Sequence, residues 1–127
     1  MKREELMQIL LDKKLARLGD AFVNFVYSLA LTRSTGEPVG IKVSDKVLAR
    51  AAQEVGIRPL LPKRTTRYHV SNAVESLIVY VWLQKHMTID EISSILEVQG
   101  DQPHDSFKVL LKKILSELID KSDSVEG

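Results

Sequence analysis

The sequence predicts an all-α fold in which about six helices form one bundle over residues 1–127. Apolar residues recur at spacings of three and four along most of the chain, which is the period of an amphipathic helix. Glycine, proline and small polar residues cluster at a few places and divide the chain into segments of helical length. No pair of alternating apolar segments that would form a β-hairpin occurs, and there is no internal repeat.

The first two helices are predicted from one continuous apolar period. Leu6, Ile9 and Leu10 stand at helical spacing in a short first helix that closes near residues 13–14. A long, mostly buried second helix continues the period with Leu15, Leu18, Phe22, Phe25, Val26 and Leu29. Gly19 lies inside this helix, where glycine costs about 1 kcal/mol relative to alanine. We therefore expect another helix backbone to pack against Gly19.

A third helix lies between two irregular segments. Residues 32–40 have the composition of turns and predict a loop. Ser44 is expected to be the N-cap of a helix over 45–55, and Gly56 marks its C-terminal stop. Residues 58–68 contain two prolines, so that this segment cannot form one helix.

The next two helices are predicted from their N-terminal signals. Ser71 is expected to cap a strongly apolar helix over residues 73–84. Thr88 and Glu91 have the spacing of a capping box, which opens a helix that runs to about Val98.

The last helix is expected after a break at residues 100–104. Its apolar positions are Phe107, Leu110, Leu111, Ile114, Leu115 and Leu118. Residues 122–127 are expected to form a frayed tail. A chain of 127 residues with 44% hydrophobic residues can bury one core, and we predict a single domain.

The composition excludes several classes of site. The chain has no cysteine, so that disulfides, cysteine-based zinc sites and thiol catalysis are ruled out. The longest uncharged stretch, residues 21–32, is short beside the roughly 20 residues that cross a bilayer. We do not expect the first residues to form a signal peptide. We expect a soluble, cytoplasmic protein.

Charge is unevenly distributed along the chain. Residues 1–64 carry 12 Lys/Arg and 7 Asp/Glu, whereas residues 65–127 carry 6 and 10. No acid occurs between residues 57 and 74, a stretch that contains the bases Arg58, Lys63, Arg64 and Arg67. Such a stretch is either a solvated loop or a site for a polyanion.

Two acids interrupt apolar helices. Asp20 precedes twelve uncharged residues, and Glu75 begins a run in which no other charge occurs before Leu83. Asp20 shares a helix face with Ala16, and Glu75 shares one with Asn72 if the helix reaches back that far. Asp20 is paired, or caps a helix, or is a ligand. The two acids are explained together if they share a hard cation such as Mg²⁺, which takes one or two carboxylates and keeps several waters.

Three blocks of the sequence resemble the ribonuclease III family. Residues 15–22 read Leu-Ala-Arg-Leu-Gly-Asp-Ala-Phe, which resembles the signature helix of that family, commonly Leu-Glu-Phe-Leu-Gly-Asp-Ala-Val. Residues 43–49, Val-Ser-Asp-Lys-Val-Leu-Ala, are similar to its Val-Ser-Asn-Lys-x-Leu-Ala segment. Residues 71–78, Ser-Asn-Ala-Val-Glu-Ser-Leu-Ile, are similar to its Ala-Asp-Ala-Phe-Glu-Ala-Leu-Ile segment. The blocks are collinear, and the resemblance covers residues 15–96.

The resemblance implies an all-helical endonuclease domain that acts as a homodimer on double-stranded RNA, with four acids that hold Mg²⁺. Asp20 and Glu75 match two of these acids and are the implied catalytic residues and ligands of Mg²⁺ or Mn²⁺. Ala16 stands in place of a glutamate, and Asn72, in place of an aspartate, offers a neutral oxygen as a ligand. Arg17 replaces an aromatic residue that the family often uses in its dimer. As in stand-alone members of the family, we do not expect a separate double-stranded-RNA-binding domain.

Three functions remain open from the sequence. The chain is a metal-dependent endoribonuclease that processes structured RNA, a catalytically impaired binder of RNA or protein, or a helical protein-binding module. His69 and Asp45 are candidates to substitute for the missing ligands. Lys63, Arg64 and Arg67 are expected to approach RNA phosphates from a loop that is mobile without RNA. The apolar surface of the second helix favours a two-fold homodimer.

Overall fold

The chain forms an all-α bundle in the computed structural model, which describes residues 1–97 and 102–126, with side chains to residue 119. The helices are α1 (Arg3–Leu10), α2 (Lys13–Thr35), α3 (Asp45–Glu54), α4 (Arg67–Leu83), α5 (Ile89–Glu97) and α6 (Pro103–Glu126). A short 3-10 turn, Arg58–Leu60, lies between α3 and α4. The described residues contain no strand, and the predicted fold class is confirmed. The single domain and the frayed tail remain predictions.

Side-chain caps account for several helix ends. The carboxylate of Asp12 accepts two backbone N–H groups of the first turn of α2, each at 2.9 Å. Gly36 ends α2 with a left-handed φ of 79°, a conformation that glycine adopts without strain. Ser44 caps α3 as predicted, and Thr88 and Glu91 form the predicted capping box of α5.

The predicted loop at residues 32–40 is wrong in its first part, because α2 continues to Thr35. The hydroxyl of Ser34 donates to the carbonyl of Ala30 at 3.0 Å, and the hydroxyl of Thr35 donates to that of Leu31 at 2.9 Å. These residues therefore satisfy their hydroxyl groups within the helix, and the loop begins at Gly36.

The predicted start of α4 is also wrong. Thr66 is the N-cap, since its hydroxyl accepts the N–H of His69 at 3.3 Å, and Ser71 is buried inside the helix. Both residues are suitable caps, and the one closer to the last proline starts the helix. At the other end of the chain, α6 begins at Pro103, a residue favoured in a first turn, so the predicted break at 100–104 ends earlier than expected. The predicted helix end near Val98 lies outside the described residues.

Helix α4 lies at the centre of the bundle and packs against α1, α2 and α3. It is apolar on nearly every side, as expected of a helix that is buried all round. Phe22 of α2 stacks on Trp82 of α4 with ring centroids 4.7 Å apart. The far end of α2 is joined to α5, because Arg33 donates to Asp90 and to Ser93, both at 2.7 Å. None of the described helices has the length and apolar character needed to cross a bilayer.

The crossing of α2 over α4 depends on Gly19. A Cβ atom at this position would overlap the backbone carbonyl of Glu75 and would lie 3.0 Å from the Cβ of Glu75. The glycine predicted to meet another helix therefore does so, and the two backbones touch. Because Asp20 follows Gly19 directly, the same contact brings Asp20 close to Glu75.

We expect the Gly19→Ala substitution to lower the free energy of unfolding by about 2 kcal/mol or more. The added methyl group would meet backbone atoms that cannot rotate away, and the helix-propensity gain of about 1 kcal/mol does not offset this. Urea denaturation followed by circular dichroism measures the change. Gly40→Ala is the matched control, since a Cβ at Gly40 meets nothing within 4 Å. Equal stability of the two variants would contradict the prediction.

Candidate active site

A cavity of about 520 Å³ lies beside the crossing of α2 and α4, where the start of α3 also reaches it. Its wall combines acids and bases, which is unusual for a hydrophobic ligand pocket. The acids are Asp12, Asp20, Asp45 and Glu75, and the bases are Lys13, Arg17 and Lys42. A site of this composition is suited to a charged ligand that brings both a cation and an anion.

Asp20 and Glu75 meet in this cavity. The side chain of Glu75 is buried, with only 5% of the residue exposed, whereas Asp20 is exposed rather than buried as the sequence suggested. Burial, followed by a hydrogen bond with Asp20 and the negative charges of Asp20 and Asp45, raises the pKa of Glu75 to about 8. The pKa of Glu75 is raised because the protonated carboxyl group is easier to bury and can donate a hydrogen bond to Asp20.

Asn24 orients Asp20 from one turn further along α2. Its amide nitrogen donates to Oδ1 of Asp20 at 3.4 Å, and its amide oxygen accepts the backbone N–H of Val43 at 2.8 Å. The side chain of Asn24 therefore links the acid to the segment that precedes α3.

Ala16 and Asn72 occupy the remaining positions of the expected acidic set, and both line the cavity. Asn72 lies one turn before Glu75 on α4. The backbone carbonyl of Asn72 accepts a hydrogen bond from the hydroxyl of Ser76 at 3.0 Å. Within the part of the chain that the structure describes, no group of three or more His, Cys, Asp or Glu residues could hold a metal ion. The cavity therefore brings together Asp20, Glu75 and Asn72, the three residues that the sequence predicted as metal ligands.

His69 and Tyr68 form the rim of the cavity at the start of α4. The Nδ1 atom of His69 lies 2.7 Å from the hydroxyl of Thr66, which fixes the imidazole ring at the helix N-terminus. Tyr68 contacts that ring edge-on with centroids 5.3 Å apart, and 59% of Tyr68 is exposed. His69 is thus present at the site, on the same helix face as Asn72 and Glu75.

The bases predicted to bind RNA lie outside this cavity. Lys63, Arg64 and Arg67 are all exposed and precede the rim residues in the chain. Arg64 has a left-handed φ of 67°, and the hydroxyl of Thr65 donates to the carbonyl of Pro62, so this segment forms a tight turn. The turn leads directly into α4, so Lys63 and Arg64 lie in the turn, whereas Arg67 is the first residue of the helix and not part of the loop that was predicted to carry all three bases.

The sequence did not identify the bases that line the cavity, Lys13, Arg17 and Lys42, as parts of a site. Lys13 and Arg17 share a face of α2 with Asp20, so helical spacing was a usable signal for them. No comparable signal existed for Lys42, because its position depends on the path of an irregular segment. Asp45, considered only as a substitute ligand, also lines the cavity.

We expect the free energy of unfolding of the metal-free protein to fall as the pH rises from about 4.5 to about 8. Across this range the folded state holds the Glu75 proton while the unfolded chain releases it, so deprotonation favours unfolding. Urea titrations with a chelator should show that Glu75→Gln is less sensitive to this rise than the wild type. Glu37→Gln, on an exposed loop, should behave like the wild type. A difference between Glu75→Gln and the wild type that is independent of pH would disprove the coupling.

Comparison with known proteins places this geometry in a family. No curated protein sequence matches the chain significantly. A family model described as ribonuclease III matches residues 13–122, a range that includes all three blocks of resemblance and the whole of the Asp20–Glu75 pair. Because the match covers most of the sequence, the chain belongs to the ribonuclease III family.

Proposed function

We propose that the chain is an endoribonuclease that hydrolyses phosphodiester bonds of double-stranded or structured RNA with one divalent metal ion, in cytoplasmic RNA processing. The meeting of Asp20 and Glu75 in an open, charged cavity is the observation that supports this proposal most directly. Two carboxyl groups that lie together, although this raises the pKa of one of them, indicate a binding site for a cation.

The donor set fits a hard divalent ion. Asp20 and Glu75 would bind it with carboxylate oxygens and Asn72 with its amide oxygen, and water would complete the shell. Ala16 leaves one ligand position without a protein oxygen, so we expect weak binding and a preference for Mn²⁺ over Mg²⁺. A bound ion supplies Lewis acidity, which polarises the phosphate and increases the nucleophilicity of water. In the hydrolysis, a water oxygen would bond to phosphorus and release one proton to solvent, the bond to the leaving oxygen would break, and that oxygen would take up one proton from solvent.

The exposed basic turn supports contact with RNA outside the cavity. Lys63, Arg64 and Arg67 carry three positive charges within five positions, immediately before the rim residues Tyr68 and His69. Double-stranded RNA is bound mainly through phosphates and 2′-hydroxyl groups, for which flexible cations are suitable. We propose that this turn binds the backbone on one side of the cleavage site.

We also propose that the protein acts as a two-fold homodimer. Phe25 on α2 is 54% exposed and adjoins Val39 and Ile41 in a shallow groove. Leu18, two turns before Phe25 on the same face of α2, is 45% exposed. Large apolar side chains in such numbers on one helix are typical of an interface, and a two-fold pairing would remove them from water.

A catalytically impaired binder of RNA or protein is the second candidate. The neutral residues Ala16 and Asn72 favour it, because they leave two charges where a two-ion site needs more. Both candidates use the same fold, so only a measurement of chemistry separates them.

We expect the wild type to cleave a long RNA duplex slowly with Mn²⁺, and Asp20→Asn or Glu75→Gln to reduce the rate by about 100-fold or more. Each substitution removes a charge that binds the ion, and loss of one catalytic electrostatic contact typically has an effect of this size. Gel analysis of end-labelled RNA measures cleavage, and Glu37→Gln is a control that should cut normally.

Cleavage that survives both substitutions would place the activity elsewhere or in a contaminant. If the wild type binds Mn²⁺ and does not cut, the impaired-binder candidate is favoured instead.

We expect a variant with Lys63, Arg64 and Arg67 all changed to alanine to bind duplex RNA more weakly and with less dependence on salt. Each phosphate contact that is lost reduces the slope of log affinity against log salt by about one unit. Filter binding at several salt concentrations measures both quantities. A variant with Lys108, Lys112 and Lys113 of α6 changed to alanine is the control for the loss of net charge. Unchanged affinity of the first variant at about 0.1 M salt would exclude a role for the turn.

A further inference from the structure

The segment between α2 and α3 is anchored along α2 in a regular way. Three polar side chains of α2, one per turn, accept the N–H groups of alternate residues: Asn24 from Val43 at 2.8 Å, Ser28 from Ile41 at 2.9 Å and Thr32 from Val39 at 3.0 Å. The hydroxyls of Ser28 and Thr32 also donate back to the carbonyls of the same residues, at 3.1 and 3.4 Å. We call residues 39–43 the anchored segment.

The spacing of these hydrogen bonds explains why they form together. Four residues of α-helix rise about 6 Å, and two residues of extended chain span about 6.6 Å, so each helical turn meets every second residue of the segment. Lys42 lies between two bonded neighbours, Ile41 and Val43. The backbone position of Lys42 is therefore fixed relative to α2, although its side chain is exposed.

The side chain of Lys42 lines the same cavity as Asp20 and Glu75. Its positive charge acts on Glu75, where it opposes the rise in the pKa of that carboxyl group. Among the described side chains, the ion pairs within 4.0 Å are those of Arg33 and His104, so the ammonium group of Lys42 is not engaged in one. A cation that faces the acids without pairing with them remains free to bind an anion.

The charge balance of the site indicates a role for such a cation in the reaction. Asp20 and Glu75 bring two negative charges, and the neutral Ala16 and Asn72 leave a second divalent ion without enough ligands. Hydrolysis of a phosphodiester places negative charge on the phosphate oxygens and the leaving oxygen. Positive groups that are fixed before the reaction stabilise that charge most effectively.

We propose that Lys42 is a catalytic residue of this site, whose ammonium group binds the scissile phosphate and supplies positive charge in place of a second metal ion. This inference rests on the proposed endonuclease function and assigns it a one-ion site completed by a lysine. Lys42 keeps its proton throughout, while the leaving oxygen takes its proton from solvent. Asn24 acts as a positioning residue, since it holds Asp20 on one side and the anchored segment on the other.

The test compares Lys42→Gln and Lys42→Arg with Lys46→Gln, an exposed lysine of α3 that does not line the cavity. Three quantities are measured: the single-turnover rate on a saturating RNA duplex with Mn²⁺, the dissociation constant of RNA without metal, and the dissociation constant of Mn²⁺ by electron paramagnetic resonance. Melting curves confirm that each variant is folded.

We expect Lys42→Gln to slow the saturated step by about 100-fold or more, as loss of a transition-state contact does, while RNA binding changes less than about three-fold. Mn²⁺ should bind equally well or more tightly, because a neighbouring positive charge has been removed. Lys42→Arg should retain about a tenth of the rate or more, and Lys46→Gln should match the wild type in all three measurements.

Several results would overturn the inference alone: a wild type that cuts while Lys42→Gln cuts equally fast, a loss confined to RNA binding, or weaker binding of Mn²⁺ in Lys42→Gln. A wild type that binds Mn²⁺ and RNA and does not cut would instead overturn the proposed function, and the role of Lys42 in catalysis with it.

Discussion

The contact between the backbones of α2 and α4 at Gly19 is the constraint on which the rest of the structure depends. Two helix axes come this close only where a side chain is missing, and at this crossing the chain has no Cβ on one side. The closeness places Asp20 against Glu75 and so forces two like charges together. Packing has therefore determined the electrostatics of the site: burial, and after it the closeness of Asp20, raises the pKa of Glu75.

The polar face of α2 continues this arrangement away from the crossing. Asp20, Asn24, Ser28 and Thr32 stand one turn apart, and the last three hold the anchored segment while the first faces Glu75. One row of polar side chains on α2 therefore includes Asp20 and also holds the anchored segment in place. Helical periodicity connects the two, because every member of the stripe is spaced by four residues.

Much of the fold could be predicted from the sequence, since helical period and caps are local properties. The third and fifth helices begin where Ser44 and Thr88 indicate, because one side chain with one N–H group decides each start. The start of α4 could not be predicted in the same way. Thr66 and Ser71 are equivalent as caps locally, and burial of the whole helix, a tertiary effect, selects the longer one.

The candidate site also has features that the sequence predicts and features that it does not. The closeness of Asp20 and Glu75 was foreseeable, because Gly19 indicated a helix crossing beside one acid and the family resemblance named both. The exposure of Asp20 depends on which residues cover α2, which no local pattern contains. The position of Lys42 could not be predicted, for a related reason. It depends on three side-chain hydrogen bonds between α2 and the anchored segment, and no sequence pattern connects these two segments.

Helix α2 is 23 residues long, so it spans about 35 Å as one element. Asp20 lies about a third of the way along it, Phe25 is exposed little more than one turn further on, and Arg33 joins its far end to α5. The helix is continuous between Asp20 and Phe25, so it rigidly connects the acid and the exposed aromatic ring. Phe25 and Asp20 are therefore parts of one continuous helix, so a partner that shifted this helix at Phe25 would also shift Asp20 relative to Glu75.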